Sequence, residues 1–205
     1  MKTHLDIWED WNRQGGPKYP HEKVIQFCFR NFPRRENRSG KTALDLGCGG
    51  GVHAVFLAEE GFSVTGVDFS SEAIRTTRAK LDGLGLDAVL DTQRLENLEL
   101  PEASFDLVIS VSVLEAAGPQ SAAVGLSRLP ALLRPGALGL FLFAAAGDFR
   151  IQGANESQLH GYDRAEVEAL FSTGFPRVWI DEYITTYRGG EWRQHDWLVT
   201  IQNQE

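Results

Sequence analysis

Four glycines, Gly47, Gly49, Gly50 and Gly51, stand between a short apolar run and an amphipathic one in the stretch ALDLGCGGG. Glycines at such a junction let the backbone bend sharply and come close to a ligand. Asp68 follows about 20 residues later at the end of the next apolar run, where a carboxylate can accept both hydroxyls of an unphosphorylated ribose. The chemistry this pairing suits is recognition of a nucleoside-containing cofactor. The plainer reading is that the glycines only make a tight connection and that Asp68 only caps the helix beginning near Ser71.

The flanking residues narrow the cofactor. A nicotinamide dinucleotide fingerprint, G-x-G-x-x-G, needs glycine where this chain has Val52. Asp45, just ahead of the glycines, would oppose a pyrophosphate but favour a cationic sulfonium ligand carrying an ammonium group. Charge therefore favours S-adenosylmethionine over NAD. Ser39-Gly40-Lys41-Thr42 is not a phosphate-binding loop, because Arg35 stands where the first glycine of that motif belongs and the lysine precedes a strand.

The elements that must position these groups alternate along the chain. Strands are predicted over Thr42 to Leu46, Phe62 to Val67, Ala88 to Leu90, Phe105 to Val111 and Ala137 to Phe143. Helices are predicted over Val52 to Glu59, Glu72 to Leu84 and about Gln120 to Leu133. Such alternation argues for βαβ units and a parallel sheet. An amphipathic helix is expected over His21 to Phe32, ended by Pro33. Near the C-terminus Asp163 can cap a helix through Phe171 with Glu166 as its capping-box partner. Two extended segments, Val178 to Thr186 and Trp192 to Gln202, then form a hairpin, so the sheet should end antiparallel. The segment Gly15 to Pro20 separates an N-terminal arm from the body.

The 205 residues, 42% hydrophobic and 23% charged, suit one domain. Apolar runs fall short of the roughly 20 residues that span a bilayer, and the N-terminus lacks the apolar core of a signal peptide. The two cysteines, Cys28 and Cys48, are expected to be reduced, consistent with a cytoplasmic protein. A net charge of -8 argues against a nucleic-acid partner. The interrupted basic cluster Arg34, Arg35 and Arg38 is read as a solvated loop.

Four ordered segments, LDLGCGGG, VTGVDFS, SFDLVISVSVLE and LLRPGALGLF, together resemble the class I methyltransferase family, over about Lys41 to Gln202. The resemblance implies an α/β, Rossmann-like doubly wound seven-stranded sheet, mostly parallel with a C-terminal antiparallel hairpin and helices on both faces. It implies S-adenosyl-L-methionine as cofactor, leaving S-adenosyl-L-homocysteine as product. By position, Asp45, Gly47, Cys48 and Gly49 would surround the methionine portion, Asp68 would hold the ribose, and Phe69 and Ser70 would flank the adenosine. Val111 and Ser112 would face the cofactor near the transferred methyl. Two positions depart from the family pattern. Arg94, followed by Leu95, stands where many relatives have an acid for the adenine amino group, and Ala116 replaces a histidine frequent after the glutamate. A backbone contact from Leu95 is compatible with the first change.

For the acceptor side the candidates are Glu115, His160, Tyr162 and His195, with His160 preferred as a base and Glu115 beside it as a catalytic candidate. Each also has a structural reading: helix start, loop, packing under the Asp163 helix and one face of the edge hairpin. Trp8, Trp11, Tyr19 and His21 gather in the arm, either as a lid over cofactor and acceptor or as a cover for the sheet. The expected activity is methylation of a small-molecule acceptor on oxygen, nitrogen or sulfur, without metal or membrane, by a monomer or homodimer. A non-catalytic cofactor-binding scaffold and an NAD-dependent oxidoreductase are the competing readings, the latter disfavoured by Val52 and Asp45. Acceptor choice is expected to rest with the arm and with the segment Ala144 to Tyr162.

Overall fold

The computed structural model describes residues 3–151 and 158–204. The N-terminal arm carries α1 (His4–Arg13), capped by Thr3 and Asp6 in a reciprocal capping box. It is followed by α2 (Glu22–Asn31), for which His21 is the N-cap, and by the single turn α3 (Arg35–Arg38). The body then alternates β1 (Thr42–Leu46), α4 (Val52–Glu59), β2 (Ser63–Asp68), α5 (Ser71–Leu84), β3 (Ala88–Thr92), β4 (Phe105–Val111), α6 (Leu114–Leu132) and β5 (Leu133–Ala144). It closes with α7 (Arg164–Phe171), β6 (Arg177–Tyr187) and β7 (Trp192–Gln202).

The strands form one seven-stranded sheet in the order β3-β2-β1-β4-β5-β7-β6. The five strands β1 to β5 are parallel, β7 pairs antiparallel with β5, and β6 pairs antiparallel with β7. The antiparallel hairpin expected from sequence is therefore present, with β6 as the edge. His195, on β7, lies in this edge hairpin as expected.

Because side chains alternate across a strand, adjacent residues feed opposite faces. Leu44, Val108 and Phe141 join Leu126 and Leu129 of α6 and Val167 and Phe171 of α7 on one side. Ala43, Leu107 and Leu140 join Val24 and Cys28 of α2 and Ala54 and Leu57 of α4 on the other. Helices thus cover both faces, as a parallel sheet with near-continuous apolar strands requires.

Three differences from the sequence reading have local causes. The long helix begins at Leu114, before the predicted Gln120, because two helical stretches meet across Gly118 (φ 77°, ψ 165°). The arm is helical because Thr3 and Asp6 cap it. Arg38 is buried, its guanidinium bonded to the carbonyls of Phe32 and Glu60 and paired with the Glu60 carboxylate at 2.8 Å. It ties α3 to the end of α4 and is not part of a solvated loop.

Candidate functional site

The strand order reverses direction between β1 and β4, and at such a switch point the loops beyond the strand ends leave a crevice. The glycine turn sits there. The Gly47 and Cys48 amides both donate to the Val67 carbonyl, at 2.8 and 2.9 Å, locking the turn to the end of β2. Gly51 begins α4 in the left-handed region (φ 80°), and a Cβ there would stand 2.5 Å from Thr77 Oγ1. That hydroxyl donates to the Gly49 carbonyl at 2.8 Å, so α5 fixes the turn from below.

Asp68 accepts the Gly49 amide at 2.8 Å and the Ser70 amide at 2.9 Å, one on each carboxylate oxygen. The cap of α5 is Ser70, whose hydroxyl accepts from the Ala73 amide. Asp68 is thus free of the capping role and is aimed back at the glycine turn. Burial raises its pKa, opposed by those two amides. Ser70 is fully buried with its hydroxyl engaged, so its part is to cap α5 and to orient Asp68.

Asp45 is 1% exposed and accepts the Ala54 amide of α4, while its Oδ2 has no hydrogen-bond donor among the described residues. Burial, then the charge of Asp68, pushes its pKa up to about 7. A buried carboxylate oxygen without a donor is costly unless a ligand supplies one. An ammonium group meets that need, and a pyrophosphate does not. The residues present therefore fit S-adenosylmethionine. Cys48 turns its thiol under Gly66 of β2, so only its backbone can face a ligand. Cys28 and Cys48 are both free thiols.

At the adenosine end Phe69 is stacked by His4 of α1 at 5.7 Å between ring centroids, and the Arg94 guanidinium lies 5.8 Å from the ring. Arg94 pairs with Glu96 at 2.9 Å. The Leu95 side chain fills the space opposite Gly125 of α6, leaving its backbone for any contact.

Beyond the ends of β4 and β5 lies a cavity of about 170 Å³, lined by Tyr19, His21, His53, Ser112, Arg150 and Asp196 among others. Val111 and Ser112 form its floor together with Leu142. Ser112 holds a left-handed backbone (φ 58°), a strained state for a non-glycine residue and one that gathers at ligand sites. His53 Nε2 accepts the His21 amide at 3.1 Å, and burial pushes this imidazole down to about 4. His21 Nδ1 accepts the Lys23 amide at 3.2 Å, and burial lowers its pKa too. Each neutral ring thus carries its proton on the other nitrogen and can only donate with it. Opposite them, Arg150 Nε and Nη2 bind Asp148 at 2.7 and 2.9 Å, and Nη2 also binds Asp196. Gln194 donates to Asp196 at 2.8 Å.

Of the acceptor-side residues expected from sequence, Tyr19 and His21 reach this cavity, and Glu115, His160, Tyr162, His195, Trp8 and Trp11 do not line it. Tyr162 is fully buried in the core, its hydroxyl donating to the Leu114 carbonyl at 2.8 Å. Its assignment to substrate binding is corrected: apolar packing under α7 took the ring. His160 turns its ring to Glu166 of α7 at 2.9 Å and against Tyr162, because its amide is held by the Glu115 carbonyl. Glu115 is buried with Oε2 unpartnered among the described residues, and burial pushes its pKa up to about 7. Trp8 donates to His4 and meets Trp11 edge-on along α1, and neither indole lines this cavity. His195 faces Glu182 and Arg193. Part of the segment Ala144 to Tyr162, residues 152–157, lies outside the described residues.

Sequence reasoning missed His53, Asp148, Arg150 and Asp196. His53 carried a signal, a polar residue opening the helix directly after the glycine turn. The contact of Asp148 and Arg150, which follow β5, with Asp196 of β7 carried none, since it arises only through the pairing of β5 with β7.

The glycine turn, Asp68 at the end of β2 and the donorless Asp45 oxygen agree with a family match. A model described as a methyltransferase domain matches residues 43–136. Over that stretch, a little under half of the chain, the sequence is similar to the class I S-adenosylmethionine-dependent methyltransferases. It is 29% identical over 132 residues to the ubiquinone biosynthesis O-methyltransferase of Coxiella burnetii, covering 64% of this chain and 55% of that one. It is 35% identical over 145 residues to the protein of the same name from Paramagnetospirillum magneticum, covering 65% and 56%. The chain thus spans about half the length of these curated relatives. A solved structure described by the conversion of a disulfide bond into a thioacetal group during echinomycin biosynthesis superposes with a TM-score of 0.75. That match has 21% identity and covers 98% of this chain and 92% of the other, and it bears on the fold. Among the described residues no helix is long and apolar enough to cross a membrane.

Proposed function

We propose that this protein transfers the methyl group of S-adenosylmethionine to a small molecule held in the cavity above Ser112. The donorless Asp45 oxygen beside the glycine turn is the observation that carries the reading. When bound, the cofactor supplies a methyl group already activated on a sulfonium, which leaves the protein to align the acceptor and exclude water. Asp45 and the turn hold the amino-acid portion, Asp68 the ribose hydroxyls, and Phe69 the adenosine. Val111 and Ser112 place the reacting centre at the floor of the cavity.

The cavity orients an acceptor more readily than it deprotonates one. The lone pairs of His53 Nε2 and His21 Nδ1 are already engaged by amides, and Asp196 is paired with Arg150. This favours an acceptor that ionises readily by itself, with the imidazole N–H groups steadying its developing anion. The relatives' names favour oxygen as the acceptor atom, within the wider range of oxygen, nitrogen and sulfur. The arm, carrying Tyr19 and His21, serves as the lid. We place the protein in the cytoplasm as a single domain, a monomer or homodimer without a nucleic-acid partner. The free thiols and the net charge of -8 support this.

Calorimetric titration with S-adenosylmethionine, S-adenosylhomocysteine and NADH tests the reading. Binding of the first two and not the third is expected; preference for NADH would overturn it. A library of ionisable small molecules that never yields S-adenosylhomocysteine would favour the scaffold reading instead.

A further inference from the structure

Asn12, on the last turn of α1, is 3% exposed, and its Oδ1 has no hydrogen-bond partner among the described residues. That oxygen lies 3.5 Å from the point where a Cβ on Gly49 would stand, directly over the glycine whose amide binds Asp68. A helix that only covered the sheet would have an apolar residue here. Polar atoms buried without a partner are rare and gather where a ligand completes them.

The arm is held in this place at several points. Lys80 Nζ donates to the Gly15 carbonyl at 2.8 Å and to the Gly50 carbonyl at 2.6 Å, bridging arm and glycine turn with one ammonium group. The Thr76 hydroxyl donates to the Asn12 carbonyl at 3.3 Å. A Cβ on Gly50 would stand 2.5 Å from the Gly15 carbonyl oxygen, so the two backbones are in direct contact. A few residues further on, the same arm supplies Pro17, Tyr19 and His21 to the wall of the acceptor cavity.

We propose that Asn12 is a cofactor ligand carried on a hinged arm, so that cofactor binding closes the arm and thereby builds the acceptor cavity, with the acceptor entering second. The inference rests on the methyltransferase reading above. Closing the arm over the glycine turn buries the Asn12 oxygen without a donor, which opposes closure. The ammonium or a ribose hydroxyl of the cofactor supplies that donor and removes the opposition. On the usual worth of one buried unpaired polar atom, the bound cofactor favours closure by about 5- to 150-fold. Lys80 is a positioning residue in this account: it latches the arm and touches no ligand.

The test uses the full chain and S-adenosylhomocysteine as probe, with calorimetry for affinity and limited trypsin digestion for the arm, where Arg13 and Lys18 are the cut sites. In the wild type the probe should slow cleavage at both sites. Asn12→Ala should weaken the probe about 5-fold or more and abolish its protection of the arm. Lys80→Met should speed cleavage in the free protein yet keep protection by the probe, because Asn12 is intact. Circular dichroism on both variants confirms that the body is folded. A wild-type arm cut equally fast with and without bound probe, or an Asn12→Ala variant with unchanged affinity, would overturn this inference and leave the methyltransferase reading standing. A wild type that binds no S-adenosylhomocysteine at all would overturn both.

Discussion

Replacing Asp45 by Asn should stabilise the free protein at pH 8 while weakening its hold on S-adenosylhomocysteine. The carboxyl is fully buried, and its pKa rises from 3.8 to about 7, chiefly through burial and then through Asp68. The native state therefore holds this proton more tightly than the unfolded chain does. Stability attributable to Asp45 is intact below pH about 4, falls as pH rises from about 4 to about 7, and is level above that. A rise of about three units corresponds to about 4 kcal/mol as an upper bound, since each unit is worth about 1.4 kcal/mol. Asn has the same shape, can still accept the Ala54 amide, and carries no charge to bury. Urea unfolding followed by tryptophan fluorescence should show Asp45→Asn more stable than wild type by up to about 4 kcal/mol at pH 8 and by under about 1 kcal/mol at pH 4. Calorimetry should show the cofactor product bound at least about 10-fold more weakly, as expected for one lost charged hydrogen bond. A structural carboxylate would behave in the opposite way. Destabilisation at pH 8, or unchanged affinity, would refute the reasoning.

Three further outcomes follow from the geometry. Asp68→Ala should cost about 100-fold or more in S-adenosylhomocysteine affinity by calorimetry, because two charge-assisted bonds to the ribose are lost together. Arg150→Met should destabilise the protein by about 3–5 kcal/mol in urea unfolding at pH 8, since the buried Asp148 and Asp196 would lose the cation they share. Tyr162→Phe should cost about 1–3 kcal/mol of stability, leaving the Leu114 carbonyl unpaired, with no change in cofactor affinity.

Much of the fold could be read along the chain because its signals are local. Apolar runs alternating with amphipathic ones marked the parallel sheet, and the Asp163 and Glu166 capping box marked α7 as found. The cofactor side was legible for the same reason, since Asp45, the glycines and Asp68 sit at fixed offsets on consecutive elements. The acceptor side was not. Arg150 and Asp148 reach Asp196 only because β5 and β7 pair antiparallel, and no spacing along the chain encodes that pairing. Tyr162 and His160 carried residue types suited to chemistry but were claimed by packing and by Glu166. Asn12 looked like an ordinary polar helix residue, and its significance depends on where α1 lands on α5 and the glycine turn.

A crystal structure with S-adenosylhomocysteine bound tests the central claim most directly. The amino group should lie on Asp45 Oδ2, the ribose hydroxyls on Asp68, and the sulfur should point past Ser112 into the cavity walled by His21 and His53. A ligand whose sulfur faces away from that cavity, or whose amino group leaves Asp45 unpartnered, would contradict the account.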